Sequence, residues 1–139
     1  MLDQPRGADI LGAVAALLRD VLVPQLQGSA AFQARVAANA VDLVAREMTQ
    51  GPAAEAASLA RLRALLGHDG PAAVLEAELA DAIAGGRLPD DHPGLQAHLW
   101  AITMDKLAID QPSYAPYRDS LRDAPCATPR ATPAPSTKE

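Results

Sequence analysis

The chain has 139 residues, with 12 Lys+Arg against 17 Asp+Glu and a formal net charge of -5 at pH 7. That length is one domain's worth, and the acidic balance argues against general nucleic-acid binding, which rests on phosphate neutralisation and leaves a basic stripe in the sequence. Apolar residues make up 49% but aromatic ones only 3%, and with 31 Ala and 18 Leu the alphabet is that of an all-α protein and excludes a β-sandwich.

Five segments with helical periodicity follow one another over the first 112 residues, joined by short connections of the kind bundles use. The first, about residues 8 to 23, repeats Ile10, Leu11, Val14, Leu17, Leu18, Val21 and Leu22 at three- and four-residue spacing. Pro24 ends or kinks it, because proline lacks an amide hydrogen and crowds the preceding turn. The second follows Gly28, takes Ser29 as N-cap and runs to about Gln50 as the longest helix. The third opens at Pro52 and stops at Gly67; the fourth opens at Pro71 and stops at Gly85-Gly86, which suits a left-handed C-terminal turn. The fifth opens near Pro93, with His92 and Asp91 placed to cap it, carries Leu95, Leu99, Ile102 and Ile109, and ends before Pro112.

Residues 1–118 thus predict a compact bundle of about five helices. Residues 119–139 predict a disordered tail: Pro125, Pro129, Pro133 and Pro135 stand among Ala, Thr and Ser with no periodic apolar face. An Ala-rich core removes less apolar area from water than a Leu-rich one. A partner covering an exposed face would widen the margin left by the ordering entropy. No apolar run approaches the roughly 18 to 20 residues of a membrane span, and the charged start of the chain predicts a cytoplasmic protein.

Chemistry is harder to assemble. The single cysteine, Cys126, allows neither an intramolecular disulfide nor a thiolate metal site. His68 and His92 fall in loops, and His98 has no carboxylate or second histidine at i+3 or i+4, so no metal motif results. Nucleotide-binding glycine motifs and hydrolase motifs are missing from the sequence. No metal ion or cofactor is expected.

Two helices carry polar residues against their patterns. On segment two a helical projection puts Phe32, Val36, Ala40 and Leu43 on one apolar face, with Asn39 at its edge and Arg35 and Arg46 just beyond. These three form either a boundary network or a contact surface for a partner or anionic ligand, because guanidinium groups fork onto carboxylates and phosphates. On segment five Lys106 shares a face with Leu99 and Ile102, with Asp110 at i+4. A Lys106 pair with Asp110 or Glu47 that pins the two helices together explains it better than a catalytic lysine.

The stretch Phe32-Gln33-Ala34-Arg35-Val36-Ala37-Ala38-Asn39-Ala40 with Arg46-Glu47, and the stretch Lys106-Leu107-Ala108-Ile109-Asp110-Gln111-Pro112-Ser113-Tyr114, resemble a family of small bacterial helical proteins of uncharacterised function. The opening Pro-x-x-x-x-Ile-Leu pattern and the Val23-Pro24 step fit as well, so the resemblance covers residues 1 to about 117. Members are similar to the accessory protein encoded beside an aminoglycoside-phosphotransferase-like kinase and an acyl-CoA-dehydrogenase-like enzyme in levulinic-acid-type catabolism. There, kinase and small protein together phosphorylate a 4-hydroxyacyl-CoA. The resemblance implies a non-catalytic subunit that supports such a kinase, with ATP and Mg²⁺ held by the kinase. Arg35, Asn39, Arg46, Lys106, Asp110 and Tyr114 are then the candidate contacts. The rival expectations are a stand-alone binding or structural module, as a monomer or a homodimer, and an enzyme using Lys106 with a carboxylate.

Overall fold

The structure is a computed structural model and describes residues 4–123. Among them the chain is all-α. Helix α1 (Gly7–Ala16) passes into a wide π-type turn (Leu17–Leu22) and a short 3-10 turn (Val23–Gln25). Helices α2 (Gly28–Leu66), α3 (Ala72–Ala84), α4 (Pro93–Asp110) and α5 (Ala115–Asp123) follow.

Pro24 acts as its chemistry requires. The Val23 amide donates five residues back to the Leu18 carbonyl, widening the turn ahead of a ring that would otherwise crowd it, and the helical run ends at Gln25. At the start of α1 the Asp9 carboxylate accepts from the Arg6 amide at 3.0 Å, one orphan donor satisfied.

Segments two and three are one helix. The sequence places a break at Gly51-Pro52, yet α2 runs 39 residues with Pro52 inside it. Helical backbone before a proline is disfavoured by the clash of the ring with the preceding Cβ, and Gly51 has no Cβ to clash. Contacts with α4 fall on both sides of Pro52: Arg46 bonds to Ile109 and Arg61 to Asp105, so α4 splints the joint. Ser29 is not the cap either, because the helix already includes Gly28 and its N-cap is Gln27, two residues earlier.

The other boundaries follow local chemistry. Gly67 closes α2 with φ of 79°, and Gly86 turns the chain after α3 with φ of 69°, both left-handed. His92 caps α4, its Nδ1 accepting from the Leu95 amide at 3.3 Å, with Pro93 in the first turn. Helix α5 is not foreseen in the sequence, since only Tyr117 and Leu121 give it apolar spacing. It takes residues 119–123 out of the expected tail, and the remainder of that tail, with Cys126, lies outside the described residues.

Two unlike cores result. Leu62, Leu75, Leu79 and Leu95 pack together under Leu59, Leu66, Ile83 and Leu88, joining the second half of α2 to α3 and the start of α4. The first half of α2 instead meets α1 through small residues: Ala15, Ala31 and Ala38 are buried. The expected face of Phe32, Val36 and Ala40 is therefore not the core face. The helix is rotated so that its alanines allow close approach to α1, leaving Phe32 64% and Val36 50% exposed.

Candidate functional site

Four of the six sequence candidates meet in one cleft of about 520 Å³ between α2 and the corner joining α4 to α5. Asn39 and Arg46 come from α2, about two turns apart on one side; Asp110 and Tyr114 flank the Gln111-Pro112-Ser113 corner. Val36 and Leu43 supply the apolar wall. The corner exists because Pro112 cannot continue α4, and the Tyr114 amide closes the turn onto the Gln111 carbonyl at 3.0 Å. Arg46 is committed in part: its Nε donates to the Ile109 carbonyl at 2.6 Å, satisfying an orphan acceptor of the last turn of α4.

Arg35 and Lys106 stand apart from this group. Arg35 is exposed and does not line the cleft. Lys106 is also exposed, and among the described residues it forms no ion pair, so neither the pair with Asp110 nor the reach to Glu47 is made. The ion pair that ties α2 to α4 is Arg61 to Asp105, at 3.1 Å, with Arg19 and Asp42 joining the turn after α1 to α2. The reason is rotational. Asp105 sits one position earlier on α4 and faces α2, while Lys106 is turned 100° toward solvent.

Lys106 instead borders a second and larger groove, about 780 Å³, between the middle of α2, the start of α3 and α4. Leu59, Leu62, Leu79, Leu99 and Ile102 line it together with His98, Glu47, Glu55, Glu76 and Asp105. His98 is 1% exposed, and neither ring nitrogen has a hydrogen-bond partner; the Arg61 Nε is buried and unpartnered as well. Each such orphan costs about 1–3 kcal/mol. Burial pushes the His98 pKa below its ordinary value of 6.5, the Arg61 guanidinium lowers it further, and Glu76 opposes both. The ring is neutral at pH 7, with one donor and one acceptor to offer.

Sequence reasoning passed over His98 because no ligand-spaced partner stands on its own helix. The usable signal is its spacing from Leu95 and Ile102, three before and four after, which puts it on the buried stripe. Its polar neighbours Arg61 and Glu76 come from other helices. His68 is a different case: on the surface its Nε2 lies 2.9 Å from Glu78. That hydrogen bond, with one to the Asp69 carbonyl and the Glu78 charge, raises its pKa.

Among the described residues no group of three or more His, Cys, Asp or Glu is placed to hold a metal ion, and no helix is long and apolar enough to cross a membrane. Residues 24–114 match a family described as a domain of unknown function (DUF6285). No curated protein and no solved structure matches the chain.

Proposed function

The chain belongs to the DUF6285 family, and from that premise we propose that it is a non-catalytic helical subunit that completes its apolar surface on a larger protein. The observation that carries this reading is the uncovered apolar face of the Ala-packed half. Ile10, Val14, Leu17 and Val21 recur along one side of the first helical run, each at least 40% exposed, and Phe32 and Val36 do the same on α2. Monomeric surfaces carry single exposed leucines without consequence, but stripes at helical spacing are what partner helices cover. Burying the remaining area would contribute about 1 kcal/mol per such side chain.

On the sequence resemblance, the larger protein is an aminoglycoside-phosphotransferase-like kinase acting on a hydroxyacyl-CoA or related acyl-CoA, in the cytoplasm and near an acyl-CoA-dehydrogenase-like enzyme. The kinase would bring ATP and Mg²⁺. The α2 and α4–α5 cleft, with Asn39, Arg46, Asp110 and Tyr114 beside Val36, offers the polar contacts that would orient the two proteins. An enzyme built on Lys106 gains no support from an exposed, unpaired side chain.

The test is co-expression of the chain with such a kinase encoded beside it. Co-purification, kinase turnover that depends on the chain, and loss of both in Val36→Asp or Phe32→Asp with the helical circular dichroism retained are expected. A chain that purifies as a monomer or homodimer and leaves kinase turnover unchanged overturns the reading, the homodimer supporting a stand-alone module.

A further inference from the structure

We propose that the groove between α2, α3 and α4 is a binding site for an uncharged amphiphile: an apolar body along Leu59, Leu79 and Ile102, and an amide or hydroxyl head on His98. The proposal is independent of any protein partner. It rests on two observations that meet at one place. The groove has a volume of about 780 Å³, within the range of small-molecule sites, and aliphatic side chains make up much of its wall. At its wall His98 is almost wholly buried with both ring nitrogens unpartnered.

The head group follows from the inventory of unmet hydrogen bonds. A neutral imidazole offers one N–H donor and one lone pair, and both are unmet here. A carboxamide matches both kinds, its oxygen accepting and its NH₂ donating. A hydroxyl matches one of each. A carboxylate fails twice: it has no proton for the imidazole lone pair, and Glu47, Glu55 and Glu76 line the same groove against Lys106, Asp105 being paired with Arg61, a field that repels anions. An ammonium has donors only and leaves the imidazole N–H unmet.

The experiment uses the full chain and three probes with the same six-carbon length: hexanamide, hexan-1-ol and hexanoate. Binding is followed by backbone amide shifts and by the ¹⁵N shifts of the His98 ring. Hexanamide or hexanol is expected to saturate shifts at Leu59, Leu62, His98 and Ile102, with a Kd at least tenfold lower than that of hexanoate. The amide-to-alcohol ratio identifies which head the site prefers. His98→Leu should raise the Kd of the preferred probe at least tenfold, and His98→Gln, which keeps a donor and an acceptor, should restore much of it. Absence of saturable binding, a Kd for the preferred neutral probe equal to that for hexanoate, or binding unchanged by His98→Leu overturns the proposal. Should the leucine variant fail to fold, the ring ¹⁵N shifts of the unmodified chain decide: they must move with the preferred neutral probe.

Discussion

Arg46 on α2 donates from Nε to the Ile109 carbonyl on α4 at 2.6 Å, a bond that spans 63 residues of sequence. The same residue lines the cleft with Asn39, Asp110 and Tyr114, so it holds the cleft's two walls together as well as facing into it. Replacing Arg46 with Ala should destabilise the fold by about 1–2 kcal/mol, the range for a partly buried hydrogen bond from a charged donor whose acceptor is left unmet. Urea denaturation measures it as a lower midpoint at unchanged slope. A change under about 0.3 kcal/mol would mean that water replaces the guanidinium without cost.

Gly51 and Pro52 should behave as a coupled pair. Proline inside a helix costs about 3 kcal/mol relative to alanine, part of which α4 already offsets here by splinting the joint. Pro52→Ala restores an amide donor toward the Met48 carbonyl and should raise stability by about 1–3 kcal/mol. Gly51→Ala adds a methyl group whose nearest outside contact is an ordinary 3.8 Å from the Glu47 Cγ. It should nonetheless destabilise the native sequence, because the added Cβ meets the proline ring. In the Pro52→Ala background the same change should stabilise by about 1 kcal/mol, the ordinary helix-propensity gain. Additive effects in the double-mutant cycle would show that the clash is not what Gly51 avoids.

The two perturbed histidines give opposite pH dependences. His98 has a folded pKa below its unfolded value of 6.5, so the unfolded chain takes up a proton first on acidification. Its contribution is present above pH 6.5 and is lost as pH falls toward the folded value, at no more than about 1.4 kcal/mol per pH unit. His68 is raised, so its contribution is complete below pH 6.5 and is lost as pH rises through the folded value. In a His68→Gln background, stability should therefore fall as pH drops below 6.5. Adding His98→Leu should flatten that fall and, by removing two unmet polar atoms, leave stability at pH 7 unchanged or higher. An equally steep fall in the double variant would move its origin to the carboxylates.

Lys106 should be nearly silent in stability. An exposed lysine without an ion pair gives a change within about ±0.5 kcal/mol on substitution by Met, readable as a near-constant thermal midpoint. A loss above about 1 kcal/mol would restore the pinning role that the sequence suggests for it. Asp105→Asn, which weakens the bond to Arg61, should cost more than Lys106→Met at the same pH.

Much of the fold is legible in the sequence. An Ala- and Leu-rich chain with periodic apolar residues has few alternatives to an all-α bundle, and the boundaries at Gly67, Gly85-Gly86, His92-Pro93 and Pro112 follow from backbone chemistry that acts within a few residues. The same local rules place Asn39 and Arg46 on one side of α2, and Asp110 and Tyr114 beside the Pro112 corner. Helix α5 escapes because nine residues with two apolar positions carry too little periodic signal.

Three things belonged to the tertiary structure alone. Whether Gly51-Pro52 breaks a helix depends on whether a neighbour spans the joint, and α4 does. Which side of α2 becomes core depends on how closely α1 can approach, and the alanine side allows a contact that the Phe32 side does not. That His98 stands unpartnered beside Arg61 and Glu76 depends on residues brought from two other helices. Local propensity acts over one or two turns, whereas burial and long-range hydrogen bonding are settled only when the helices meet.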